Sequence, residues 1–308
     1  MTQKTIFLTG ASGYIGGSVA AGLLKAGHRV RGLVRTRATA DALATKGIEP
    51  VLGTLDDADL LFAQARAADA VVDAASSDHE SSARALIAGL EGSSKPMIHT
   101  SGASVIGDDA HGGWRSEAIV DGSSALLVHP AKQARHAIDL MVLAAAHKGV
   151  RSTVICPGNI YGSGRGLSTD SYQIPFLARN ALRHGKVQIV GAGLNVWSNV
   201  HIDDVVDLFQ LALDKASPGA LYFAENGEAS FAELGAAIAT RLGLPGVESL
   251  DPQVAAGMWG EAMAYFSLGS NSRVRATRAR QELGWVPREK SVIEWVLREM
   301  PIYSIVNT

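Results

Sequence analysis

The stretch Thr5-Ile6-Phe7-Leu8-Thr9-Gly10-Ala11-Ser12-Gly13-Tyr14-Ile15-Gly16-Gly17 limits what this chain can fold into more than any other. A short apolar run of strand formers meets a glycine turn, and a helical pattern follows at once. Ile15, Val19, Leu23 and Leu24 recur at helical spacing until Gly27, which suits a C′ stop. Strand, glycine loop and helix in this order are the layout that a dinucleotide site needs. Gly10 permits the tight turn, Gly13 lets the backbone approach a pyrophosphate, and Gly16 lets helix and strand pack closely. The helix N-terminus then offers unpaired N–H groups and a positive dipole end to the phosphates.

Further strands are expected over 28–34, 49–53, 69–75, 96–101 and 151–156, with helices over 38–46 and 130–147. Strands alternating with helices at this rhythm predict an α/β fold, a doubly wound parallel sheet covered on both faces. After residue 162 the alternation breaks down. A Gly/Ser-rich loop (163–170), a helix (172–184) and a short strand (187–190) point to a smaller C-terminal lobe. The expected division is therefore 1–162 and 163–308. Ser230 with Glu233, and Ser291 with Glu294, have the spacing of capping boxes.

The sequence has 308 residues, 47% of them hydrophobic, which is ample for such a core. A formal charge of −2 leaves no basic footprint for nucleic acid. The single cysteine, Cys156, excludes an internal disulfide and fits a reducing compartment. No apolar stretch is long enough to span a bilayer and no leader pattern precedes the first strand, so a cytoplasmic location is expected.

The spacing G-x-x-G-x-x-G behind Thr9 resembles the fingerprint of the short-chain dehydrogenase/reductase superfamily, in particular its extended and atypical branches. Those branches include sugar-nucleotide epimerases, dehydratases and carbonyl reductases, and the resemblance implies a Rossmann-type fold. Further blocks carry it: Asp69–Ser76 on the fourth strand, Pro157-Gly158-Asn159-Ile160-Tyr161-Gly162 after the sixth, Asn199–Val205, which implies that 199–216 return to the first domain, and Arg275–Pro287 near the end. The resemblance implies that Gly10, Ser12, Gly13, Tyr14, Ile15 and Gly16 bind the cofactor. It places Leu55, Ala74, Ala75, Ser76 and Thr100 along its adenosine and ribose. Arg135, Pro157, Gly158, Asn159 and Ile160 then lie towards its nicotinamide. Relatives usually carry an aspartate near the adenine where Thr54 stands here. An acid ending the second strand would hold the ribose hydroxyls and imply NAD. Val34 and Arg35 stand there instead, with Arg37 close by, and an arginine fork suits a 2′-phosphate, so NADP is expected.

The family's usual catalytic pair, Tyr-x-x-x-Lys, is missing. Of the six tyrosines (14, 161, 172, 222, 265 and 303), none stands four residues before a lysine. One register of the 130–147 helix puts Lys132 at the lysine and Val128 at the tyrosine. The preferred register puts Arg135 and Ala131 there. Gly102 occupies the place of the family's serine or threonine. The candidates left to act on a substrate are Ser101 as a hydrogen-bond donor, His129 as a titrating acid and Lys132 as a nearby positive charge. Tyr161 is expected to pack rather than titrate, and His201 to be structural. The expected function is NADPH-dependent reduction of a ketone or aldehyde by a mechanism without the tyrosine and lysine. The alternatives are a sugar-nucleotide epimerase or dehydratase, and a non-catalytic NADP-sensing or scaffold protein. The expected partner is a small-molecule substrate, in a pocket with Trp197, Trp259, Tyr265 and Phe266 as candidate lining. Neither a membrane nor a nucleic acid is expected as partner, and a homodimer is one assembly open to the chain.

Overall fold

Strand β1 (Thr5–Thr9) lies in the interior of a seven-stranded parallel sheet, and its side chains alternate between two cores. The computed structural model describes residues 2–122, 126–289 and 291–303. Along the chain follow α1 (Tyr14–Lys25), β2 (Arg29–Val34), α2 (Arg37–Ala44), β3 (Glu49–Leu52), α3 (Ala58–Ala67), β4 (Ala70–Asp73), α4 (Glu80–Leu90) and β5 (Pro96–Thr100). Then come α5 (Gln133–Ala144), β6 (Arg151–Pro157), β7 (Asn159–Tyr161), α6 (Gln173–His184), β8 (Val187–Val190), β9 (Val196–His201), α7 (Ile202–Lys215) and β10 (Ala220–Ala224). The last elements are β11 (Glu228–Ser230), α8 (Phe231–Leu242), β12 (Val247–Leu250), α9 (Pro252–Trp259), α10 (Thr277–Leu283) and α11 (Val292–Arg298).

The sheet order is β10-β6-β5-β4-β1-β2-β3, so the direction of winding reverses between β1 and β4. Successive residues point to opposite faces. Ile6, Leu8, Val72, Ile98 and Ile155 pack with α1 and α7 on one side. Phe7, Val71, Met97 and Val154 pack with α3, α4 and α5 on the other. Burial on both faces explains why these strands read as unbroken apolar runs.

Three elements differ from the expectation in instructive ways. The fourth strand stops at Asp73 because the N–H groups of Ala74 and Ala75 leave the ladder and donate to Thr9 Oγ1, at 3.1 and 3.2 Å. The long helix expected over 130–147 is broken at both ends. Pro130–Lys132 forms a 3₁₀ turn capped by His129, and Ala145–Lys148 forms another, closed by left-handed Gly149. The seventh strand, β10, comes from beyond the expected boundary at 162 and pairs with β6 at the sheet's edge. Helix α7 shares an apolar cluster with α1.

A separate apolar cluster gathers α6, β8, α8, α9 and α11 around Trp197, Phe231 and Trp295. Ser230 and Glu233 make both halves of a capping box on α8, and Ser291 caps α11 by accepting from the Glu294 N–H at 3.2 Å. Among the described residues no helix is long and apolar enough to cross a membrane. The C-terminal block is fastened to α7: Trp285 is buried and donates its indole N–H to the Asp204 carbonyl at 2.9 Å. The Asp204 carboxylate accepts from the N–H groups of Arg288 and Glu289. Trp285→Ala should therefore cost roughly 3–5 kcal/mol of folding stability, read as a shift in the denaturant midpoint. A shift below about 1 kcal/mol would show that this segment is not part of the core.

Candidate active site at the carboxyl edge of the sheet

The loop after β1 is a cradle that only bare backbone fits. Gly10 has φ +74°, and a Cβ there would lie 2.5 Å from the Ala74 carbonyl oxygen. A Cβ on Gly16 would lie 2.2 Å from the Gly10 carbonyl oxygen. Gly13 is the N-cap of α1, and no side chain caps that helix end, so its first N–H groups face an open loop. Thr9 fixes the far wall of the cradle. Besides accepting from Ala74 and Ala75, its hydroxyl donates to Asp73 Oδ1 at 2.6 Å. The loop, the helix end and the strand switch point together fit a dinucleotide with its pyrophosphate over residues 10–16.

At the end of β2, Arg35 and Arg37 are both exposed. Thr36 between them caps α2 by accepting from the Thr39 N–H, and Arg37 pairs loosely with Asp41 at 3.5 Å. Arg35 has no ion-pair partner among the described residues, and no acid ends the strand. On the neighbouring loop Thr54 is tied to Asp57 Oδ2 through its N–H and its hydroxyl. Leu55 beside it is half-buried, as are Ser12, Ala74 and Ser76, whereas Ala75 is exposed.

Deeper in, a cavity of about 410 Å³ opens between the cradle and the second cluster. Tyr14, Ile15, Pro157, Gly158 and Ile160 line it on the cradle side, and Tyr172, Trp197 and Ser267 on the other. Ser101, Lys132 and Arg135 bring the polar groups. Ser101 is held in place by its backbone N–H, which donates to the Ile155 carbonyl at 2.9 Å. Arg135 donates to both oxygens of Asp78 and to Ser104 Oγ, which holds the Asp78 carboxyl below its usual range. Lys132 has no carboxylate within ion-pair distance among the described residues, and its Nζ lies 4.8 Å from the Phe266 ring centre. Burial, followed by the nearby Arg135 charge, lowers its pKa from the ordinary lysine value. Lys132 and Arg135 stand three residues apart and share a helix face, so each of the two registers contributes a cation to this cavity.

Other expected residues are placed differently. His129 does not line the cavity. Its Nδ1 accepts from the Ala131 N–H at 3.1 Å, its Nε2 lies 3.2 Å from Asp109, and its ring meets Phe266 edge-on. Tyr161 is buried edge-on against His201 and beside Trp295, and burial pushes its phenol far above the ordinary value. His201 caps α7 by accepting from the Asp203 N–H. Cys156 is fully buried and its thiol is likewise pushed up by burial. Of the aromatic residues proposed as lining, Trp197 reaches the cavity; Trp259 and Tyr265 pack against the second core. Asn159 and Thr100 are buried at the ends of the strands, and neither side chain has a hydrogen-bond partner among the described residues.

Two residues that the sequence reading passed over lie directly behind Ser101. The Ser101 hydroxyl donates to Asp139 Oδ2 at 2.9 Å, and the other oxygen of Asp139 faces His99 Nε2 at 3.8 Å. His99 Nδ1 is 2.8 Å from Asp73 Oδ2, on the adjacent strand. The parallel register pairs Asp73 with His99 directly, and both are 1% exposed. A histidine inside the apolar strand 96–100 was the available signal, since a buried imidazole needs partners.

The comparisons with known proteins agree with this geometry. A family model described as "NAD dependent epimerase/dehydratase family" matches residues 6–222. An oxidase designated ucsJ from an Acremonium species is 35% identical, over 93% of each chain. A 4-hydroxy-2-methyl-3-oxo-4-farnesyl-3,4-dihydroquinoline-1-oxide ketoreductase from Stigmatella aurantiaca is 28% identical, over 92% of each. In fold, a dTDP-glucose 4,6-dehydratase from Bacillus anthracis, solved in complex with NAD, superposes with a TM-score of 0.75. It is 18% identical, and the match covers 96% of this chain and 97% of that one. With the sheet order, the glycine cradle and these matches in agreement, the chain belongs to the NAD dependent epimerase/dehydratase family, the extended branch of the short-chain dehydrogenases/reductases.

Proposed function

We propose that this protein binds NADP in the cradle and uses NADPH to reduce the carbonyl of a ketone or aldehyde. The carrying observation is the polar lining of the cavity: a hydroxyl on Ser101 and, on Lys132, an ammonium with no carboxylate partner among the described residues, with no tyrosine on α5. When bound, the cofactor supplies the hydride. A carbonyl that accepts it needs its oxygen stabilised and then protonated, and a positioned hydroxyl beside a cation suits both tasks. An epimerase or dehydratase must first oxidise an alcohol, which needs a base where this segment carries Ala131 and Arg135. The ketoreductase name of one relative supports the same direction. Arg135, tied to Asp78, would line the nicotinamide end, and Arg35 would take the 2′-phosphate. The second cluster, with Trp197 and Tyr172 facing the cavity, serves as the substrate-binding lobe and keeps water from the reacting carbonyl. A single buried cysteine suits the reducing cytoplasm, where we place the protein.

The cofactor choice rests on Arg35. Charge-assisted hydrogen bonds are worth about 1.5–3 kcal/mol, so NADP should bind roughly ten- to a hundredfold more tightly than NAD. Titrating both dinucleotides should give that ratio, and Arg35→Ala should bring it close to one. Equal affinities in the parent, or an unchanged ratio in the variant, would refute the assignment.

The reaction itself is tested by following NADPH consumption with a panel of ketones, aldehydes and sugar nucleotides. Ketones or aldehydes should be consumed, whereas conversion of sugar nucleotides alone would favour the epimerase or dehydratase reading. Binding of NADPH without turnover on any of them would favour the sensing reading. If Ser101 or Lys132 handles the oxygen, its alanine variant should lose about two to four powers of ten in turnover while NADP binding is kept. His129→Ala belongs in the same series and should lose little, because His129 does not line the cavity. Turnover within a fewfold of the parent for both Ser101→Ala and Lys132→Ala would mean that neither is the acid.

A further inference from the structure

We propose that Asp73, His99, Asp139 and Ser101 form one proton-sharing unit that delivers a proton into the cavity through the Ser101 hydroxyl, a role that rests on the carbonyl-reduction reading. The unit runs as a chain through the centre of the sheet. Asp73 Oδ1 is taken by the Thr9 hydroxyl at 2.6 Å, so Oδ2 is left to accept from His99 Nδ1–H at 2.8 Å. The opposite nitrogen, His99 Nε2, then faces Asp139 Oδ1 at 3.8 Å, and neither atom has a hydrogen-bond partner among the described residues. Asp139 Oδ2 takes the Ser101 hydroxyl at 2.9 Å. Of the four residues Ser101 alone lines the cavity, while Asp73, His99 and Asp139 are at most 1% exposed.

Charge accounts for the sharing. Two carboxylates and a neutral imidazole, all buried, would leave two negative charges in a medium that does not tolerate them. One further proton held on His99 Nε2, which faces Asp139 Oδ1 at 3.8 Å, removes one of those charges. Burial pulls the His99 pKa down, but the hydrogen bond to Asp73 and the Asp139 charge override it and leave it raised. Burial raises that of Asp139, against the opposing pull of Ser101 and His99. The other groups acting here are Arg135 on both, His136 on Asp139, and the neutral Cys156 thiol.

As a carbonyl oxygen in the cavity becomes an alkoxide, the Ser101 hydroxyl turns from Asp139 towards it and its O–H bond breaks. The His99 Nε2–H proton passes to Asp139, the Asp139 carboxyl turns to present that proton to Ser101 Oγ, and Asp139 is left as the carboxylate. His99 is left neutral with its Nδ1–H still on Asp73. The alkoxide becomes an alcohol, the unit loses one proton, and no electrons move within it. After the alcohol leaves, a proton from water re-enters through the same hydroxyl. His99 and Asp139 are thus positioning residues, and Ser101 is the group that meets the substrate.

The decisive measurement uses the free protein. With ¹⁵N-labelled histidine, and His99→Gln to assign the signal, His99 should stay protonated well above the ordinary value of about 6.5. In Asp139→Asn its midpoint should fall by about one pH unit or more, a tenfold change in its acid constant. A neutral imidazole throughout pH 5–9 in the parent, or an identical titration in the variant, would overturn the shared proton whatever the protein reduces. The second measurement is the pH dependence of NADPH oxidation with the ketones and aldehydes of the panel. The parent rate should fall above the His99 midpoint, the falling limb should move to lower pH in Asp139→Asn, and Ser101→Thr should keep it where Ser101→Ala loses it. A limb that none of these variants moves would overturn delivery through Ser101. A parent that reduces no carbonyl would overturn the carbonyl-reduction reading and this delivery step with it, while leaving the titration to decide the shared proton.

Discussion

The rest of this structure depends on one close approach of backbone to backbone at the first turn. A Cβ on Gly16 would run into the Gly10 carbonyl oxygen, and a Cβ on Gly10 into the Ala74 carbonyl. Those contacts bring the start of α1 onto the end of β4, at the point where the sheet's winding reverses. Thr9 secures the same junction with three hydrogen bonds, so β1, β4 and the loop after it form one rigid edge. Everything the cavity offers is measured from that edge: Ser101 one strand away, Lys132 on the 3₁₀ turn before α5, and Arg135 on α5 itself.

Charge is distributed unevenly across this edge. The cradle presents N–H groups and the exposed Arg35, which suit a polyanionic ligand. Behind it lies a core carrying two carboxylates, joined by an imidazole and reaching the cavity at one hydroxyl. Arg135 stands between the two regions, bonded to Asp78 towards the cradle and acting on Asp139 towards the core. The missing tyrosine and lysine therefore do not leave the site without titrating groups. They leave it with groups drawn from the sheet itself.

Much of this was legible in the sequence where the signal was local. The cradle, the succession of strands up to β6 and the capping box at Ser230 all depend on residues within a few positions of each other. The absence of the tyrosine pair was equally plain. What escaped was whatever depends on register between distant segments. Asp73 and His99 are partners because β4 and β5 align them, and Asp139 joins them only because α5 lies over that part of the sheet. His129 drew notice for its intrinsic chemistry and its place before Pro130, yet that place is what commits it to capping a turn. The edge strand β10 was missed because it lies outside the run of alternating elements, although Ala220–Ala224 is apolar enough to be buried.

That edge strand has a consequence for how the molecule is made. Residues 220–224 complete the cofactor-binding sheet, and residues 202–215 cover one of its faces, but both follow a long excursion into the second cluster. Trp285 and the segment after it then close over α7 from later still. No single cut in the sequence separates a finished sheet from the rest. A growing chain must release some 224 residues before the last ladder can form, and β6 carries an open edge until then. The sheet that carries the cradle is thus completed only by a strand that follows part of the second cluster in sequence.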